Sequence, residues 1–182
     1  MGLRTVVALG IANLFLGTCG QAIAAPVVAT GDDADRGAIA HILDDEGAAW
    51  AAGDADAFAA HVLPDVSFAN SVGMFSVGKA PFVAQHKTIF STIYKGSQMR
   101  QFIAAITFVK PDVAIVDTVT KLSGAQQLPT GTAAVDGVLY TRLEQVMVKR
   151  GGSWSVAAFH NVPIQPKFVT DEVRTVTSGQ AH

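Results

Sequence analysis

Hydrophobic positions repeat every three to four residues in the first part of the chain and every second residue afterwards. Ile39, Ile42, Leu43, Glu46, Ala49 and Trp50 fall at helical spacing, Asp32 and Asp33 are N-cap residues, and Gly53 is a C-terminal stop. The spacing therefore predicts a helix ending at about Ala52. Asp54 can cap a second, shorter helix carrying Phe58 and Val62, with Pro64 ending it. Period two then sets in. Val66, Phe68 and Asn70 share one face of a short strand, a turn occupies Ser71 to Gly73, and Met74 to Val77 form its partner. Gly78 breaks that strand. A third helix is expected from about Lys79 to Ile93, with Pro81 tolerated in its first turn and Phe82, Val83, His86, Ile89, Phe90 and Ile93 on its apolar face.

Only strands are predicted after Lys95-Gly96. They run from Gln98 to Val109, Val113 to Leu122, Val138 to Lys149 and Trp154 to Val162. Lys110-Pro111-Asp112 and Arg150-Gly151-Gly152 supply turns, and a polar loop spans Ser123 to about Asp136. Residues 164–182 carry few apolar anchors and are read as a loose tail. This order gives an α+β fold: three N-terminal helices packed on a strongly curved, mainly antiparallel sheet of about six strands. A curved sheet around helices leaves a cavity at its open end, the default place for a ligand.

The N-terminus changes how much of the 182-residue chain belongs to that domain. Arg4 precedes an uncharged apolar run, Val6 to Thr18, and Ala22-Ile23-Ala24 places small residues at the −3 and −1 positions of a signal-peptidase site. Thirteen residues fall short of the roughly 20 that span a bilayer. A signal peptide over residues 1–24 is thus expected, then a flexible leader over 25–34 and the domain over 35–163. The alternatives are a retained anchor, a buried helix, or a lipoprotein site at Cys19, where Thr18 fits poorly. Cys19 is the chain's one cysteine, so cleavage after Ala24 removes disulfide and thiolate chemistry. A secreted or periplasmic protein, with no membrane contact after signal removal, is the resulting expectation.

Charge narrows the partners. The whole chain carries −2 overall and is only 15% charged; without Arg4, 12 basic residues face 15 acidic ones. No basic run interleaves with aromatics, which argues against nucleic acid.

Five stretches in order resemble the SgcJ/EcaC group of the SnoaL-like, nuclear-transport-factor-2-like superfamily. They are Ala49-Trp50-Ala51-Ala52-Gly53-Asp54-Ala55-Asp56-Ala57-Phe58, Phe68 to Met74, the His86 helix with Tyr94-Lys95-Gly96-Ser97, Val109 to Ala114, and Ala158-Phe159-His160-Asn161. The resemblance covers about residues 35 to 163. It implies a cone-shaped α+β fold, often dimeric, with a pocket between helices and concave sheet. It does not imply one chemistry, because such relatives include ketosteroid isomerases, polyketide cyclases, dehydratases and binding domains. No glycine-rich dinucleotide fingerprint follows a strand, so no cofactor is expected.

Several polar residues on apolar faces are candidates for chemistry. His86 is expected to be buried, as a pocket group exchanging a proton or hydrogen bond with a ligand oxygen, or as a neutral core histidine on a backbone carbonyl. Asn70 either reaches the pocket or forms the turn before Gly73. Asp117 alternates with Val113, Ile115 and Val119. Inward it would be a base of raised pKa, outward an ordinary charge, and Thr118 and Thr120 leave the choice open. His160 alternates with Trp154, Val156 and Ala158, whereas Asn161 goes with Phe159, so one of the pair reaches the pocket unless a bulge intervenes. Trp50, Phe68, Met74 and Phe90 are expected as apolar walls or plain core. A metal triad of His86, His160 and Asp117 lacks any short-range ligand spacing, so none is expected. The reading that results is cofactor-free acid–base conversion of a small, mostly apolar carbonyl compound, with His86, Asp117 and Asn70 catalytic. The alternative is a non-catalytic ligand-binding or dimerisation domain.

Overall fold

The structure, a computed structural model, describes residues 32–178; the signal-peptide and most of the leader expectations lie outside them. Helix α1 (Asp33–Ala52) starts where Asp32 accepts the Asp35 N–H at 2.7 Å and stops at Gly53, whose φ of 66° is left-handed. Its buried face is Ile39, Ile42, Leu43, Glu46, Ala49 and Trp50, the face that the spacing predicts. Asp54 caps the short α2 (Ala55–Phe58) through the N–H groups of Asp56 and Ala57.

Strand β1 (Val62–Ala69) begins earlier than expected. Val62 belongs to the sheet and Pro64 lies inside the strand instead of ending a helix. The proline is accommodated because the pairing with the last strand jumps from Val62 to Ser67, so its missing N–H falls where the ladder is interrupted. Strand β2 (Phe75–Val77) and helix α3 (Lys79–Ser91) follow, with Phe82, His86 and Phe90 buried at i, i+4 and i+8.

Four long strands complete the sheet: β3 (Gln98–Lys110), β4 (Val113–Ser123), β5 (Val138–Arg150) and β6 (Ser153–Pro163). The order is β2-β1-β6-β5-β4-β3, antiparallel throughout except for β1 beside β6. Extra residues at Ala104 and Val109 in β3 and at Ala157 in β6 shift the register and add bend. The helices and the concave face enclose one apolar core, from Ile39 and Phe82 to Val116, Met147 and Val156.

The region expected to be a loose tail is built. A 3-10 turn (Pro166–Phe168) leads to α4 (Asp171–Ser178), which contacts β3 and β4. Its buried Val173 joins Val119 and Tyr140 from the outer face of the sheet. This small second core escaped the sequence reading because its anchors, Ile164, Val169 and Val173, are too few and too irregular to show a period.

Candidate functional site

Between α1, α3 and the concave face lies a cavity of about 570 Å³. Trp50, Phe58, Phe68 and Phe82 supply its aromatic wall, and Leu122, Leu139, Leu143 and Phe159 supply apolar floor from the sheet. Val72 and Met74 border it while remaining exposed, which sets them at its mouth. Among the described residues its lining contains no Asp, Glu, Lys or Arg.

His86 is the central polar group. It is 4% exposed, and the rings of Phe82, Phe58 and Phe68 lie 4.2, 4.7 and 5.4 Å from its own. Its Nδ1 lies 2.8 Å from the Phe82 carbonyl oxygen, which can only accept, so Nδ1 carries the proton. Nε2 is left as a lone-pair acceptor with no hydrogen-bond partner among the described residues. Desolvation pushes the imidazole pKa down to about 4, and the Phe82 hydrogen bond only partly opposes that. At neutral pH this histidine is uncharged and a weak base.

Opposite stands a row of polar groups on the sheet floor. Thr120 and Thr141 are cross-strand partners, and Asn161 pairs with Leu143, the next inward residue of β5. Thr120 Oγ1, Thr141 Oγ1 and Asn161 Oδ1 are buried without a hydrogen-bond partner among the described residues, and all three residues line the cavity. A buried polar atom left unpaired costs about 1–3 kcal/mol, so these oxygens are unused hydrogen-bonding capacity on cavity-lining residues.

Asn161 reaches this position through the bulge at Ala157. Without the extra residue, simple alternation would put His160 on the face of Trp154 and Val156. With it, Phe159 and Asn161 join the concave side, and His160 turns outward and is exposed. Asp117 likewise faces outward, in one cross-strand row with Glu144 and His160. The inward readings of Asp117 and His160 are therefore corrected, and His86 stands across the sheet from both. Asn70 borders the cavity, but its Oδ1 accepts the N–H groups of Val72 (3.1 Å) and Met74 (2.9 Å), so it organises the turn. Trp50 and Phe68 are wall residues and Met74 is at the mouth. Phe90 is corrected to a supporting role: it packs edge-on behind Trp50, ring centres 4.9 Å apart, and does not line the cavity.

Trp50 is fixed by a short relay, its Nε1–H donating to Ser97 Oγ (2.9 Å), which donates to the Tyr94 carbonyl (2.8 Å). Tyr94 also lines the cavity, and burial pushes its phenol up to about 12, so it remains a neutral donor and acceptor. Sequence reasoning missed Thr120, Thr141 and Tyr94. The alternation Val116, Thr118, Thr120, Leu122 was legible, but the opposite face of β4 looked equally apolar because α4 covers its Val119.

No family model matches the chain, and no curated protein matches it. Solved structures do, at identities that speak for the fold alone. A cystatin-like domain from Nostoc punctiforme PCC 73102 superposes with a TM-score of 0.64 at 21% identity, covering 82% of this chain and 90% of that one. A protein from Novosphingobium aromaticivorans DSM 12444, provisionally assigned as a scytalone dehydratase, gives 0.61 at 18%, over 72% and 85%. A ketosteroid isomerase-like protein from Erwinia carotovora atroseptica SCRI1043 gives 0.59 at 18%, over 74% and 100%. The chain thus has the cystatin-like, nuclear-transport-factor-2-like α+β fold.

Proposed function

We propose that this chain is a pocket protein for a neutral, mostly apolar small molecule bearing hydroxyl and carbonyl groups. One observation carries the reading: among the described residues, three partnerless buried oxygens line a cavity whose walls hold no charged side chain. A carboxylate or ammonium guest would lose its hydration there without a counter-charge. The Thr120 and Thr141 hydroxyls can donate to a ligand carbonyl, whereas His86 Nε2 and Asn161 Oδ1 can accept from a ligand hydroxyl. Titration of Trp50 fluorescence with hydroxylated aromatic ketones and their carboxylated analogues tests this. Saturable quenching by the neutral series, at least about tenfold tighter than by the acids, is expected. Equal affinity for the acids, or no saturable binding in either series, would sink the reading.

A second reading is cofactor-free conversion of the same guest, with His86 Nε2 taking a proton and the floor hydroxyls holding the developing oxyanion. The free Nε2 beside a polar floor favours it, as do the ketosteroid isomerase-like and dehydratase assignments of two structural neighbours. The low basicity of His86 favours binding instead. Mass spectrometry of the bound ketone after prolonged incubation separates them: an altered compound that His86→Phe no longer yields establishes catalysis. We also propose export by the N-terminal segment and assembly as a homodimer, for which N-terminal sequencing and analytical ultracentrifugation are the checks.

A further inference from the structure

Deeper between α1 and the sheet, outside the cavity lining, lies a buried polar cluster centred on Glu46, which is 2% exposed. Its Oε2 accepts from Gln101 Nε2 of β3 (2.6 Å) and from Gln145 Nε2 of β5 (2.8 Å). Its other oxygen, Oε1, is buried with no partner among the described residues, and so is the carbonyl oxygen Oε1 of the same Gln145. Two acceptors facing no donor, on two side chains already joined through their other arms, leave one economical completion. A carboxylic acid and a primary amide close a ring of two hydrogen bonds when the acid carries its proton: the amide N–H donates to the acid carbonyl and the acid O–H donates to the amide carbonyl.

We propose that Glu46 is a proton-binding site. In mildly acidic solution the folded protein holds it as the neutral acid, its Oε1–H donated to Gln145 Oε1, so that a single proton completes the clamp between α1 and β5. Above neutrality the proton leaves, and both buried acceptor oxygens are left without a donor.

The surroundings agree. Burial raises the Glu46 pKa from 4.5 to about 7, opposed by the Gln101 and Gln145 hydrogen bonds and reinforced by the neighbouring Asp45 carboxylate. Asp45 is itself held by His61 at 2.8 Å and approached by His41 at 3.7 Å. The strands present Gln101, Thr118 and Gln145 to this cluster, none of them titratable. The nearest strand cation along this face, Lys149, is engaged by Asp35, eleven residues before Glu46 and so about 16 Å up the helix.

The sign follows from linkage. The unfolded chain releases this proton near the ordinary carboxyl pKa, while the folded chain keeps it to about 7. Stability from this site is fully present below about 4.5, falls as the pH rises to about 7, and is flat above. His86 acts oppositely between its ordinary 6.5 and about 4, so the two slopes cancel over much of that range in the wild type. The measurement must therefore be a difference. Glu46→Gln supplies a permanent amide donor in place of the O–H.

The experiment is urea unfolding of the full wild-type chain and of Glu46→Gln at steps from pH 5 to 8. The folding constant of the wild type relative to the variant should drop by up to about tenfold per pH unit between pH 5 and about 7 and level off above. A ratio that is constant or rises with pH overturns the proposal. Should the variant fail to fold, 13C labelling of the glutamate side-chain carboxyls reads the wild type directly, because Glu46, Glu144 and Glu172 are the only glutamates. One of the three signals should move from the acid to the carboxylate position with a midpoint above about pH 6. Three signals already at the carboxylate position at pH 6 overturn it.

Discussion

His86 shows how much a single side chain can owe to its neighbours. Helical spacing put it among phenylalanines, and the aromatic packing then removed its charge. Because the folded pKa is lowered to about 4 from 6.5, the folded protein resists protonation that the unfolded chain accepts. Its contribution to stability is complete above about 6.5 and is lost as the pH falls to about 4. His86→Phe should abolish this acid sensitivity: relative to wild type, its urea midpoint is expected to gain between pH 6.5 and 4.5. The same variant lacks the Nε2 acceptor and should bind the hydroxylated ketone at least about fivefold more weakly, consistent with about 1 kcal/mol for one hydrogen bond. Asn161→Leu replaces a partnerless oxygen by methyl groups. It should leave thermal stability unchanged or raise it by about 1 kcal/mol while weakening the ligand. Loss of both stability and binding would mean that Asn161 is structural.

Among the elements, the capped helix boundaries were the most legible and strand phase the least. Asp32, Gly53 and Asp54 mark their boundaries because capping is a local transaction between a side chain and the nearest free backbone groups. Gly53→Ala tests this directly. A Cβ there would meet nothing closer than Phe90 Cβ at 4.0 Å, so the expected cost, about 1 kcal/mol by calorimetry, is that of a non-glycine residue at φ 66°. Strand phase is a different matter. One extra residue at Ala157 exchanges the faces of His160 and Asn161, and nothing in Ala157-Ala158 announces it. Pro64 misleads in the same way: it reads as a helix stop and is a strand residue where the ladder lapses.

For the molecule as a whole, both faces of the sheet are used. The concave face holds the cavity, and α4 protects part of the outer one through Val173 on Val119 and Tyr140. Val173→Asp buries an unpaired carboxyl and should cost more than about 2 kcal/mol. Ligand affinity at a temperature where the variant remains folded should be unchanged, since the cavity lies on the opposite side of β4. A parallel loss of affinity would show that the outer core shapes the pocket.

The α+β class, the order and ends of nearly all elements, the buried face of α1 and the burial of His86 could be taken from the chain alone. Each depends on residues within a few positions of one another, where 3.6-residue and two-residue periods and caps act. Which polar groups share the cavity could not, because that depends on register between strands distant in sequence, on a bulge, and on what covers each face. Asp117 and Thr120 are three residues apart on one strand and equally polar islands among apolar neighbours. Cross-strand pairing sent one outward to Glu144 and His160 and the other inward beside Thr141.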